Sequence, residues 1–330
     1  MPRPSVVIVS PALAAANNGN WQTAHRWSSF LAEAFDVRTV MSWPDAQSER
    51  DRSMIALHAR RSADSIAAWA QARSPGKLAL VLTGTDLYRD IGIDPAARRS
   101  LDFAGQLVVL QELGLEALPA VHRHKARVIY QSVASREATP KPNDRLRAVM
   151  VGHLRDVKSP ETLFEAARLL RQRPDIELHH IGRADEEIWA ERAHRTAAEC
   201  PSYHWLGELP HEETLREIQR ANLLVHTSAI EGGAHAIMEA VCSGTPVLAS
   251  RISGNIGLLG PGYEGYFPHG DAKALAHLLK VCRATQGSDD PATSLLARLR
   301  AQCDLRAPLF SPDTERRAVL DLARHLEESP

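Results

Sequence analysis

The chain is poor in the features that mark several common classes of protein. It has four cysteines, Cys200, Cys242, Cys282 and Cys303, with no two close enough in sequence to form a metal-ligating or dithiol pair. Isolated thiols of this kind suit a reducing compartment, so a cytoplasmic protein is expected. No apolar run reaches the roughly 20 residues that a membrane span requires, and no membrane insertion is expected. The opening stretch MPRPSVVIVSPALAAA holds only a short apolar run, Val6 to Val9, before Ser10 and Pro11. It reads as a first buried strand rather than as an export signal. A formal net charge of −1 leaves no bulk attraction for nucleic acid or for anionic membrane, so any anion must be met by a local site. Gly-x-Gly-x-x-Gly does not follow the first strand, which argues against a nicotinamide dehydrogenase. Asp-x-Asp occurs nowhere, and no metal or other cofactor is expected.

What the chain has in quantity is alternation. Short β-branched runs are separated by amphipathic helical patterns from end to end, the signature of parallel sheets with crossover helices and hence of an α/β protein. The length, 330 residues, exceeds one ordinary core and implies two domains with a cleft. In the first half the expected strands are Ser5 to Ser10, Val37 to Trp43, Met54 to Ala59, Leu78 to Gly84, Leu107 to Gln111 and Ala126 to Val133. The stretch Ala134 to Arg145, with two prolines and no periodicity, reads as a linker. The pattern then restarts with Arg147 to Leu154, Ile176 to Gly182, Tyr203 to Gly207, Leu223 to Ser228 and Pro246 to Ser250. Residues 1–140 are therefore expected to form one Rossmann-like domain and 141–310 a second. A helical tail, 311–328, is expected to return to the first.

The strongest local signal is Glu231-Gly-Gly-Ala-His-Ala-Ile-Met-Glu239, directly after the strand that ends at Ser228. The two acids stand a little over two helical turns apart, so both can face one ligand if Glu231 lies in the loop before the helix. Gly232 and Gly233 allow the backbone to come close to that ligand, and the helix start suits a diphosphate. Carboxylates cannot hold phosphates, so the acids must serve hydroxyls. Phosphates flanked by sugars meet these demands.

This segment, with the trailing Gly244-Thr-Pro246-Val, resembles the donor-site signature of retaining nucleotide-sugar glycosyltransferases of the GT-B type, which have two facing Rossmann-like domains. The resemblance implies that Glu239 binds the ribose, that Glu231 orients the transferred sugar, and that the backbone of Gly233, Ala234 and His235 meets the phosphates. A second motif, Gly152-His153-Leu154-Arg155-Asp156-Val157-Lys158, resembles the family's first strand-to-helix turn in the second domain. Gly152 and Lys158 match, whereas His153 stands where the family usually has an arginine, and Arg155 either supplies that charge or points to solvent. Departure of UDP would then rest on Lys158 and Arg155 without a metal. Leu209, in Gly207-Glu-Leu209, matches the place where relatives hold the uracil edge. Gly265 to Asp271 resembles the end of the same domain, or else is a hairpin and helix cap.

In the first half, Asn17-Asn18-Gly19-Asn20-Trp21-Gln22-Thr23 forms a donor-rich loop before a helix, able to hold a small anion or simply to cap it. This loop, with Leu57 to Ser62, Thr83 to Asp86, the unusual Gly-His-Leu-Arg turn and Ser253 to Gly260, is similar to the selenosugar synthase family of selenoneine biosynthesis. That family joins selenophosphate to a UDP-sugar. The resemblance makes selenophosphate the expected acceptor, a UDP-hexose or UDP-N-acetylhexosamine the donor, and Asn17, Asn18, Gly19, Asn20, Thr23, His58, Thr83 and Asp86 the acceptor-side residues. Selenophosphate needs no general base. For an alcohol acceptor, Asp86 or His58 would be the base, if either is more than a loop cap or a packed core residue. The rival readings are a glycosyltransferase for a lipid, glycan or small alcohol, a nucleotide-sugar epimerase, and a silent nucleotide-sugar sensor.

Overall fold

The computed structural model describes residues 3–13 and 19–329. The chain divides into two units, residues 1–132 with 312–330, and residues 133–311.

Six strands build the first unit: β1 (Ser5–Val9), β2 (Asp36–Val40), β3 (Ser53–Leu57), β4 (Leu78–Leu82), β5 (Gln106–Val109) and β6 (Ala126–Val128). They pair in parallel in the order β2-β1-β3-β4-β5-β6. The four inner strands, β1, β3, β4 and β5, are apolar on both faces because helices cover both, as an all-parallel sheet requires. Alternate residues separate cleanly. Val7, Met54, Leu80 and Val109 meet Ile66 and Trp69 on one side. Val6, Ile8, Ile55 and Val81 meet Trp27 and Leu31 on the other, where Val319, Leu322 and Leu326 of the last helix, Pro312–Glu328, complete the layer.

That last helix is pinned by a buried acid. Glu315 is 1% exposed. Its carboxylate accepts from Arg26 Nε at 2.6 Å and Nη2 at 3.0 Å, from Trp27 Nε1 at 2.7 Å, and from the amide and hydroxyl of Ser132 at 2.8 and 2.6 Å.

The second unit repeats the plan with β7 (Leu146–Val151), β8 (Ile176–Ile181), β9 (Tyr203–Gly207), β10 (Leu223–His226), β11 (Val247–Ser250) and β12 (Tyr266–Phe267). Their order is β12-β11-β10-β7-β8-β9, again all parallel. From β7 the sheet grows one way through β8 and β9 and the other way through β10, β11 and β12. The carboxyl ends of β7 and β10 therefore flank the point where strand order reverses, the usual ligand crevice of an open α/β sheet. The pair Tyr266–Phe267 is not part of a hairpin but a sixth parallel strand on β11. The stretch read as a linker holds neither strand nor helix and is pinned along this unit, with Thr139 Oγ1 and Lys141 Nζ both donating to the Gln219 carbonyl.

Candidate active site

At the carboxyl end of β7 the chain turns through Gly152 and His153 to a short 3-10 turn, Asp156–Lys158. A side chain on Gly182, whose φ is +147°, would place its Cβ 2.1 Å from the Gly152 carbonyl oxygen, so only glycine lets these neighbouring loops meet. The Lys158 stem lies over Gly152, about an ordinary van der Waals distance from where a Cβ would be. The loop after β10 is tied to this turn twice: Thr227 Oγ1 donates to the Lys158 carbonyl at 2.6 Å, and the Ala229 amide donates to the Val157 carbonyl at 2.9 Å.

These ties bring the charges together. Lys158 Nζ donates to Glu231 Oε1 at 2.6 Å, with the two side chains 19% and 11% exposed. The same oxygen lies 3.3 Å from Nε2 of His226, the last residue of β10. Burial pushes the Glu231 carboxyl up, but the Lys158 charge and hydrogen bond outweigh it and hold the group below its ordinary value. Burial also lowers the His226 imidazole to about 4, so it is neutral at pH 7. The site thus offers a carboxylate, an ammonium and an uncharged ring within contact of one another.

Glycine at 254 is what lets the helix Ser253–Leu259 reach Glu231. A Cβ there would stand 2.1 Å from the Glu231 carbonyl oxygen and 2.9 Å from its Cβ. Gly254→Ala is therefore expected to displace the Glu231 loop and to destabilise the protein by about 1–3 kcal/mol, as overpacking does. Denaturant unfolding measures the loss, and an unchanged midpoint would show that the loop gives way freely.

His153 is half-buried, and its Nδ1 accepts the Arg183 amide at 3.3 Å. An amide can only donate, so the neutral ring carries its proton on Nε2. Burial lowers this imidazole further, with the charges of Arg183 and Arg155 acting in the same direction. His153 therefore offers a hydrogen-bond donor rather than the positive charge of an arginine. Arg155 is exposed.

The two acids of the strongest motif do not share a partner. Glu239, on the helix His235–Val241, accepts from His211 Nε2 at 2.9 Å, and this bond raises the His211 imidazole above its ordinary value. Ala234 caps that helix, its carbonyl taking the Ile237 and Met238 amides at 3.0 and 3.3 Å, while Gly233 and His235 flank it half-buried. Leu209 is half-buried in the loop after β9. His226, Gly254 and His211 were not singled out from the sequence. His226 and Gly254 lay inside quoted segments, but nothing in their spacing set them apart from packing residues.

In the first unit, Asn17 and Asn18 fall outside the described residues. Gly19 and Asn20 open the helix Gly19–Leu31. Thr23 is buried within it, donating from Oγ1 to the Gly19 carbonyl at 2.8 Å and accepting from Gln131 Nε2. Asp86 is fully buried and accepts the amides of Ala59, Thr83 and Gly84, each at 2.9 Å, so it holds the loops at the ends of β3 and β4. His58, at φ +74°, takes the Arg61 amide on Nδ1 at 3.3 Å, which leaves Nε2 to donate to Thr85 Oγ1 at 3.3 Å. Burial lowers this imidazole despite the nearby Asp86 charge.

Residues 132–282, most of the second unit, match the sequence model of the family described as glycosyl transferases group 1. The amylovoran biosynthesis glycosyltransferase AmsK of Erwinia amylovora is 32% identical over 160 residues, covering 46% of this chain and 39% of that protein. The D-inositol 3-phosphate glycosyltransferase of Streptomyces avermitilis is 27% identical over 216 residues, 62% of this chain and 45% of that one. The chain thus spans less than half the length of these relatives. Among solved structures, the sucrose-phosphate synthase of Thermosynechococcus elongatus superposes with a TM-score of 0.73 at 18% identity, covering 98% of this chain and 99% of that one. Anabaena HepE, in complex with UDP and glucose, gives 0.69 at 14% identity over 97% and 99%. The fold is that of the GT-B glycosyltransferases.

Proposed function

We propose that this chain transfers a hexose or N-acetylhexosamine from a UDP-sugar to selenophosphate, acting as a selenosugar synthase in the cytoplasm. The observation that carries the donor half of this reading is the Lys158–Glu231 pair at the reversal point of the second sheet. On donor binding Lys158 exchanges Glu231 for the diphosphate, and the freed carboxylate accepts hydroxyls of the sugar. Glu239, turning from His211, grips the ribose. The backbone at Gly233, Ala234 and His235 meets the phosphates, Gly152 leaves room for them, and Leu209 lies against the uracil. His153 donates its Nε2 proton to a phosphate oxygen, and Arg155 adds the charge that His153 lacks. This reading involves no metal, with cations and backbone donors stabilising the departing charge.

In the chemical step a selenium lone pair attacks the anomeric carbon, the carbon–oxygen bond to UDP breaks, and UDP leaves with the bonding electrons. The transition state is oxocarbenium-like. Selenophosphate arrives deprotonated, so no base is needed. Two observations support such an acceptor: the Asp86 oxygens are taken up by backbone amides, and both His58 ring nitrogens face partners of their own. The segment Asn17 to Thr23, which from Gly19 onward is the start of a helix, is proposed with Thr83 to receive the acceptor anion.

A second reading, transfer to an alcohol, draws on the likeness to the D-inositol 3-phosphate glycosyltransferase. The deciding assay incubates the protein with UDP-sugars and either selenophosphate or a panel of alcohols, following UDP release and identifying products by mass spectrometry and selenium NMR. A carbon–selenium product is expected. Turnover of alcohols with no selenium product would replace the proposal by the second reading, and an epimerised donor formed without acceptor would replace both.

A further inference from the structure

The amino-terminal edge of the second sheet holds a cavity that the proposed reaction does not use. Asn222 directly precedes β10, and Lys141, ahead of β7, donates from Nζ to Thr245 Oγ1, just before β11. Lys158 and Glu231 lie beyond the opposite ends of the same strands, on the order of 15–20 Å away at the usual rise per residue. The cavity measures about 110 Å³ and is walled by Lys141, Asn222, Ser288, Ser294 and Arg300, among others. At a share of roughly 30 Å³ per water it has room for about three waters or for one tetrahedral oxyanion.

Its charges call for the oxyanion. Lys141 Nζ spends two of its three hydrogens on the Gln219 carbonyl at 2.6 Å and Thr245 Oγ1 at 2.7 Å, leaving the third. The Lys141 ammonium is pushed down to about 8, first by burial and then by the Arg300 charge, and both of its hydrogen-bond partners are neutral oxygens. Asp289 also lines the cavity, 3.5 Å from Arg300 Nη1, but it is 96% exposed and its charge is spent largely on water. Ser294 is fully buried and caps the helix Leu295–Arg306, accepting the Ala297 amide at 3.3 Å, so the positive end of a twelve-residue helix adds to the same wall.

We propose that this cavity is a binding site for a small tetrahedral oxyanion, a phosphate ion or the phosphate of a small monoester, held between Lys141 and Arg300. The proposal is independent of the glycosyl-transfer reading. Calorimetric titration of the full chain with inorganic phosphate tests it, with glycerol phosphate in parallel. Saturable binding of phosphate that persists with excess UDP present is expected, and Arg300→Gln is expected to weaken it by about tenfold or more through loss of a charge-assisted hydrogen bond. Asp289→Asn should tighten it, because a competing negative charge is removed. Lys141→Met tests the second cation, and Arg300→Gln, which removes an ion pair to the surface acid Asp289, keeps the test open should that variant fail to fold. Equal affinity for phosphate and glycerol phosphate identifies a phosphate-headgroup site, and loss of the ester alone identifies an enclosed free ion. Absence of saturable phosphate binding, or binding that Arg300→Gln does not change, overturns the proposal.

Discussion

Lys158→Ala is expected to lower UDP-sugar turnover roughly a hundredfold to a thousandfold, the usual cost of removing one donor aimed at developing negative charge. Two effects act together. On the proposed mechanism the departing diphosphate loses its ammonium partner, and Glu231 loses the hydrogen bond and charge that hold its carboxyl down against burial. With the neutral His226 ring at 3.3 Å and the Ser228 hydroxyl left to offset burial, the carboxyl rises and accepts fewer hydrogen bonds from a sugar. Lys158→Arg keeps the charge but not the compact ammonium that fits over Gly152, so it should recover only part of the rate. Steady-state kinetics of UDP release separate the outcomes: the loss should fall mainly on kcat if Lys158 acts on the leaving group. Activity within threefold of the wild type would remove Lys158 from the mechanism and undo the assignment of this end of the sheet.

Glu315→Ala should be the most destabilising single change in the first unit, by about 3–5 kcal/mol, the cost of removing one partner from a buried ion pair. The substitution strands the Arg26 guanidinium, the Trp27 ring nitrogen and the amide and hydroxyl of Ser132 in one stroke. Glu315→Gln keeps the shape and an acceptor oxygen, so it should cost less. The two units need not unfold together, so hydrogen exchange of strand amides in β1 and β3 is a better measure than one overall midpoint. Exchange unchanged from the wild type would mean that the apolar contacts of Val319, Leu322 and Leu326 dock the helix unaided.

Both predictions rest on charges, yet the two were not equally legible. Lys158 and Glu231 each stood in a motif of defined spacing, and the structure joins the two motifs in one hydrogen bond. Glu315 lies in TERRAVLDLARHLE, where an acid in the first turn of an amphipathic helix reads as solvated surface; only the three-dimensional convergence of Arg26, Trp27 and Ser132 makes it a core residue. Glu239 read as sharing a ligand with Glu231, and its bond to His211 could not be foreseen because His211 follows a different strand. Long strands such as Leu78–Leu82 announced themselves through unbroken apolar runs, whereas Tyr266–Phe267 is too short for any periodicity to show. Asp86 looked like a base because it follows a strand, the same position that lets it gather three backbone amides.

The docking of Pro312–Glu328 onto the first unit makes that unit discontinuous in sequence, and this bears on biosynthesis. A nascent chain leaves the ribosome with β1 to β6 complete but with the face of Ile8, Ile55 and Val81 still lacking its final cover. The whole second unit must be made before that cover arrives, on the order of ten seconds or more at about 5–20 residues per second. Of the two units, the one whose strands are made first is thus the last to close, and a stop codon anywhere between its sixth strand and residue 312 would leave its apolar layer open to chaperones or to aggregation.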